Sequence, residues 1–236
     1  MAGVKKLGLI GGTGPESTLF YYHELVYGVS ERMGGSFFPP LTIENLNIFK
    51  MLGFCQRQEY DGLADYLLGG IRSLAAAGAD FAAFTGITPH LAYDRVMARS
   101  PIPILSMVDT ALAYTVDKGY HKVGLLGTLP TMTDPGIRKG FAEKGIGLVA
   151  PTASEMAYLE EKIEMELVFD IVKDETAAGV AQIARRMARE DGIEAVVLGC
   201  TELPRLLVKQ DLSVPVLDAM HIHIDALVDK IVEGEE

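Results

Sequence analysis

Short apolar runs that break into glycine or threonine recur along this chain, and they recur twice in the same order. Lys6-Leu7-Gly8-Leu9-Ile10-Gly11 returns as Lys122-Val123-Gly124-Leu125-Leu126-Gly127. Ala79-Asp80-Phe81-Ala82-Ala83-Phe84, with Gly86-Ile87-Thr88 after it, returns as Ile193-Glu194-Ala195-Val196-Val197-Leu198, with Gly199-Cys200-Thr201 after it. Ile102-Pro103-Ile104-Leu105 and the following Asp109 return as Val214-Pro215-Val216-Leu217 and Asp218. The offsets are 116, about 114 and 112 residues. Each match alone is weak, but three in one order at nearly one spacing mark an internal repeat. Between the runs the apolar period changes. Leu63, Tyr66, Leu67, Ile71 and Leu74 make a helical stripe over Asp61–Ala77, and Val180, Ile183, Ala184 and Met187 make another over Thr176–Glu190.

Strands alternating with helices predict βαβ units and a mainly parallel sheet. The fold class is therefore α/β, as two pseudo-symmetric lobes, each a doubly wound sheet. The expected division is 1–104 plus 215–236 for the first lobe and 105–214 for the second. Ligands bind beyond the carboxyl ends of parallel strands, so the expected active site is a cleft between the lobes. Gly11–Thr18, Gly86–His90, Gly127–Asp134 and Gly199–Pro204 would line it.

Composition narrows the class. The chain has 236 residues, 49% of them hydrophobic and 22% charged, as in an ordinary globular protein. No apolar run reaches the ~20 residues of a membrane span, and the N-terminus lacks the pattern of a signal peptide. A cytoplasmic location is expected, with no membrane partner. A net charge of −11 without a Lys/Arg stripe argues against nucleic acid, but a pocket of backbone N–H groups can still hold a small carboxylate. Two cysteines, Cys55 and Cys200, give neither a disulfide framework nor a zinc site. No metal and no cofactor are expected.

The strand-end loops hold the candidate chemistry. Gly11-Gly12-Thr13-Gly14-Pro15-Glu16-Ser17-Thr18 begins a dinucleotide pattern, but Ser17 stands at the third glycine and no acidic residue follows at the required distance. A carboxylate cradle including Thr13, or a plain tight turn, accounts for it. Cys200 is either a packing cysteine or a thiol whose pKa is lowered by a helix starting near Thr201. Thr201 and Glu202 suit capping equally. Thr128 and Thr131 could grip a carboxylate or cap a turn. Cys55 reads as a packing or surface residue, with Gln56 the more interesting neighbour. His90, His221 and His223 have only their position to recommend them, and Glu160, Glu161, Glu164 and Glu166 read as a solvated helix face. One thiol with neutral anion-binding groups suits proton transfer at a carbon beside a carboxylate.

These residues carry a resemblance. Gly11-Gly12-Thr13-Gly14 with Glu16-Ser17-Thr18 and Tyr21-Tyr22, Cys55-Gln56-Arg57, Gly127-Thr128 with Thr131-Met132, Gly199-Cys200-Thr201-Glu202, and Asp218 with His223 resemble the aspartate/glutamate racemase family over essentially the whole chain. The superfamily also includes arylmalonate decarboxylase, hydantoin racemase and maleate isomerase. The resemblance implies a PLP-independent isomerase acting on free amino acids, often a homodimer. It further implies two thiols on opposite faces of the α-carbon. Cys200 matches the second. The first-lobe motif, Cys-Asn-Thr-x-His in relatives, reads Gly86-Ile87-Thr88-Pro89-His90 here, and a lysine of many relatives falls near Tyr158, with Lys162 one turn on.

The expected function is thus thiol-based proton transfer at the α-carbon of a small carboxylate or amino acid. Cys200 is the acid/base. Thr13, Gln56, Thr88, Thr128, Thr131 and Thr201 hold carboxylate oxygens, and Gly86, Ile87, Glu202 and His223 complete the substrate site. With glycine at the first position, a one-thiol decarboxylase or isomerase on a substituted dicarboxylate is the alternative. A non-catalytic carboxylate-binding protein is the third reading.

Overall fold

The computed structural model describes residues 4–169, 171–207 and 210–233. Eight strands lie among them: β1 (Leu7–Gly11), β2 (Leu41–Asn45), β3 (Phe81–Phe84), β4 (Ile104–Leu105), β5 (Lys122–Leu126), β6 (Gly147–Val149), β7 (Ala195–Leu198) and β8 (Val216–Asp218). They form two parallel four-stranded sheets with the same order, β2-β1-β3-β4 and β6-β5-β7-β8. The fold is α/β, one sheet in each half. The chain divides into two compact units, Met1–Thr110 with Met220–Glu236, and Ala111–Ala219.

The strand pairing corrects the expected division of the chain. Leu105 pairs with Ala83 in the first sheet, and Val216–Asp218 pair with Val196–Leu198 in the second. A strand belongs with the sheet that satisfies its backbone groups, so both crossings lie beyond the strand ends rather than at 104/105 and 214/215.

Each sheet is covered by amphipathic helices, which is why its strands read as continuous apolar runs. All five residues of β1 and all four of β3 and β7 are buried. In the first unit the helix Tyr60–Ala76 lays Leu63, Leu67, Ile71 and Leu74 into a core with Ile10, Ala82 and Phe84. In the second, the helix Asp174–Arg186 does the same with Val180, Ala181, Ile183 and Ala184 against Leu126, Val196 and Leu198. The end of that stripe departs from the α-helical expectation: Met187–Asp191 widens into a π turn, closed by Gly192 in the left-handed region.

The repeat extends to individual contacts. Asp80 N–H donates to Lys6 O and Glu194 N–H to Lys122 O, both at 2.8 Å. Ala82 N–H reaches Pro103 O at 2.8 Å, and Val196 N–H reaches Pro215 O at 2.9 Å. A side chain on Gly8 would press on Leu74 and Ala79, and one on Gly124 would press on Met187 and Ile193. Both glycines therefore let a helix lie close on the central strand. No helix among the described residues is long and apolar enough to cross a membrane.

Candidate active site

In the first unit the loops after β1 and β3 meet through threonine hydroxyls. Thr85, fully buried, follows β3 and donates its N–H to Ile10 O at 3.1 Å. Its Oγ1 lies 3.2 Å from the same carbonyl, 2.9 Å from Thr13 Oγ1 and 3.4 Å from Thr18 Oγ1. Thr18 Oγ1 donates to Gly14 O at 2.9 Å and accepts Gly12 N–H at 3.0 Å. Gly12 needs its left-handed φ of 76°, and any Cβ there would collide with Leu46 O. The loop is thus a rigid turn before the helix Pro15–Arg32.

Gly86, the next residue, is half-buried. A Cβ built on it meets Thr13, with Oγ1 at 3.1 Å and Cβ at 3.6 Å. Ile87 is buried, and Thr88 opens a 3-10 turn, Thr88–Ala92. His90, within that turn, accepts Met107 N–H on Nε2 at 3.1 Å, so Nδ1 carries the proton and faces Ile87 O at 3.2 Å. Burial lowers its pKa to about 4. His223 is fully buried as well. Its Nε2 donates to Leu105 O at 3.2 Å and its Nδ1 accepts the Tyr21 hydroxyl at 2.8 Å, while burial lowers its pKa to about 3. Both histidines are neutral, with both ring nitrogens engaged by the protein, and they tie the β3 and β4 ends to neighbouring helices. Cys55 lies buried in the first core at the end of the helix Ile48–Gln56, and Gln56 is exposed beside it.

The second unit has the same backbone plan with other chemistry. Gly199 N–H donates to Leu126 O at 2.7 Å, the counterpart of the Thr85–Ile10 bond. Gly199 lies so close to Gly127 that a Cβ on Gly127 would meet its carbonyl carbon at 3.3 Å. Cys200 follows, 8% exposed. Its Sγ donates to Glu202 Oε2 at 3.0 Å, and Thr201 Oγ1 donates to the same oxygen at 2.8 Å. The expected depression of the thiol pKa is not what this geometry gives. The helix that follows, Leu203–Leu207, is short. Burial, then the Glu202 charge and hydrogen bond, push the thiol well above its ordinary value, and the Glu202 and Leu203 N–H groups offset this only in part. The resting form is the protonated thiol.

Thr128 and Thr131 share one hydrogen bond of 3.0 Å between their hydroxyls. Two hydroxyls joined by one bond leave one proton to donate elsewhere. The acidic run is not a uniformly solvated face. Glu160 is half-buried and accepts Leu129 N–H at 2.6 Å, at the start of the helix Leu129–Thr133. Glu166 is buried and accepts from Thr176 at 2.6 Å, Lys173 at 3.1 Å and Lys162 at 3.2 Å, which hold its pKa well down. Lys162 is thereby engaged. No stripe or motif distinguished Glu160 and Glu166 from the exposed Glu161 and Glu164.

Comparison with known proteins identifies the family and the fold. The Asp/Glu/hydantoin racemase family model matches residues 10–227. A candidate Asp/Glu racemase from Yersinia pestis superimposes with a TM-score of 0.89 at 28% identity, covering 97% of this chain and 100% of that one. An aspartate racemase homologue from Pyrococcus horikoshii gives 0.83 at 35% identity, with 97% and 100% covered. The aspartate racemase of Picrophilus torridus shares the fold, at 0.75 and 19% identity, with 97% and 95% covered. This chain belongs to the Asp/Glu/hydantoin racemase family.

Proposed function

We propose that this chain is a cofactor-independent isomerase of its family, in which the Cys200 thiol transfers a proton at the α-carbon of a small carboxylate or amino acid. The observation that carries the reading is the 3.0 Å contact between Cys200 Sγ and Glu202 Oε2 at the carboxyl end of β7. A protonated thiol there is a proton donor to a carbanion-like carbon. To act as a base it first passes its proton to Glu202, and the thiolate then takes the α-proton. Thr128 and Thr131 contribute a hydroxyl donor for a carboxylate that gains charge as the enolate-like state forms. The test is solvent-deuterium incorporation at the α-carbon across a panel of amino and hydroxy acids, followed by proton NMR. Exchange lost in Cys200→Ala supports the reading, and no exchange by the wild type on any member refutes it.

One observation favours a second reading. Gly86 supplies no side chain, and a Cβ there would lie 3.1 Å from Thr13 Oγ1. A one-thiol site suffices for a decarboxylase or isomerase acting on a substituted dicarboxylate, where a planar intermediate is protonated from one face. Loss of CO2, or double-bond isomerisation, without α-proton exchange of any amino acid would select it.

A further inference from the structure

Thr128, Asp134 and Thr152 each precede a helix of the second unit, and two of them close that helix with their own side chain. Asp134 Oδ1 accepts Ile137 N–H at 2.8 Å ahead of Pro135–Glu143, and Thr152 Oγ1 accepts Glu155 N–H at 3.4 Å ahead of Ala153–Met165. Thr128 has almost the backbone of Thr152, φ −67° and ψ 156° against −61° and 161°, yet its side chain makes no cap. Its hydroxyl turns to that of Thr131, at 3.0 Å. The start of the helix Leu129–Thr133 still needs closing. Pro130 has no N–H, and the Leu129 N–H goes to Glu160 Oε2 at 2.6 Å, from the helix Ala153–Met165. Glu160 is half-buried, unlike the exposed Glu161 and Glu164 near it.

We infer that Glu160 is a positioning residue for the carboxylate grip: by taking the Leu129 N–H it ties down the turn and leaves the Thr128–Thr131 hydroxyl pair to a ligand. Thr131 is buried and Thr128 half-buried, so Thr128 is the member nearer the surface. With Leu129 N–H engaged, the hydroxyl pair, and not the first amide of a five-residue helix, is the donor a carboxylate meets. Without Glu160, the Thr128 hydroxyl would take the capping role that Thr152 has, aimed at the backbone rather than at a substrate. The inference rests on the proposed use of the Thr128–Thr131 pair, and its test needs no turnover.

The experiment is calorimetric binding to the full chain, with both enantiomers of aspartate and glutamate, and succinate, as probes. For the tightest probe, Glu160→Ala weakens binding about tenfold or more. Glu160→Gln still offers the Leu129 N–H an acceptor and recovers most of that loss. Glu164→Ala removes a charge from the same helix and changes binding by less than about twofold. Thr128→Val alone weakens binding, and adding Glu160→Ala to it brings no further loss, whereas a merely structural role would make the two losses add. Leu129→Pro deletes the same bond from the donor side and replaces Glu160→Ala if that variant does not fold. The inference is overturned if the wild type binds no probe or Glu160→Ala binds as the wild type does. It is equally overturned if glutamine recovers nothing, Glu164→Ala matches the loss, or the loss persists in Thr128→Val. Deuterium exchange lost in Cys200→Ala would still stand in each of those cases. A Thr128-dependent loss in a protein that shows no exchange sinks the proton-transfer reading instead.

Discussion

The loop after β3 and the loop after β7 share a backbone and differ in almost every group that could react. Each starts from a strand whose first free N–H closes on the central strand, Thr85 on Ile10 and Gly199 on Leu126. Beyond that point the first loop has a buried hydroxyl, a bare α-carbon at Gly86 and a neutral histidine. The second has a bare α-carbon at Gly199, a thiol at Cys200 and a carboxylate at Glu202. Backbone hydrogen bonds and core contacts hold the two frames alike, because a glycine and a small residue are interchangeable where only main chain must approach. Side-chain chemistry is free to diverge on that frame. Here one unit presents a cluster of threonine hydroxyls and the other a thiol beside a carboxylate.

The largest expected effect separates the two loops directly. Removing an acid/base group costs roughly 10²–10⁴ in rate, so Cys200→Ala should abolish measurable deuterium exchange. Thr85→Val, at the end of the other strand, should leave exchange within about tenfold. Equal losses would erase the chemical distinction between the loops.

Acid separates them next. The His90 and His223 pKa values are lowered from 6.5, to about 4 and about 3. A group with a depressed folded pKa that is neutral when buried takes up protons on unfolding, so stability is complete above pH 6.5 and falls as the pH drops towards 4 and then 3. The shifts correspond to about 3 kcal/mol for His90 and about 5 kcal/mol for His223 over that window. Both lie in the first unit. Amide exchange should show the first unit opening between pH 6.5 and 4, while the second holds until its carboxylates Glu155, Glu166 and Glu194, all lowered from 4.5, protonate below that value. Simultaneous opening of both units above pH 5 would contradict this.

The paired glycines sharpen the comparison further. A Cβ on Gly8 meets Leu74 Cβ and Ala79 Cβ at 3.0 and 3.1 Å, atoms fixed to the backbone. A Cβ on Gly124 meets Ile193 Cδ1 at 2.8 Å and Met187 Cε at 3.0 Å, the ends of flexible side chains. Gly8→Ala should cost about 1–3 kcal/mol in denaturant unfolding and Gly124→Ala less than about 1. The smallest effect concerns Glu202. Removing its charge in Glu202→Gln should lower the Cys200 pKa, burial still holding it up, and so raise the thiolate fraction at a fixed alkaline pH, read from thiolate absorbance. An unchanged titration would remove Glu202 from the account.

The repeat was legible from apolar spacing alone, because the strands of covered parallel sheets bury both faces. β2 and β6 were not. Leu41–Asn45 is an edge strand with only partial burial, and Gly147–Val149 has three residues. Cys200 stood out by its place at a strand end, but its charge state did not. Proximity to a helix start suggested a lowered pKa, whereas burial and Glu202, two residues on, decide it the other way. The roles of His90 and His223 were hidden because their partners, Met107, Tyr21 and Leu105, lie far away in sequence. The contact between Thr13 and Thr85 joins two separate segments, and no linear pattern encodes it.

The central claim is that proton transfer belongs to the second-unit thiol alone. The most direct measurement incubates each pure enantiomer of an exchanging substrate in deuterated water and follows label and configuration together. A single thiol predicts that one enantiomer gains deuterium with its configuration kept, faster than it inverts, while the other exchanges slowly. Comparable exchange of both enantiomers, with inversion at every labelling event, would require a second acid/base and would contradict the account.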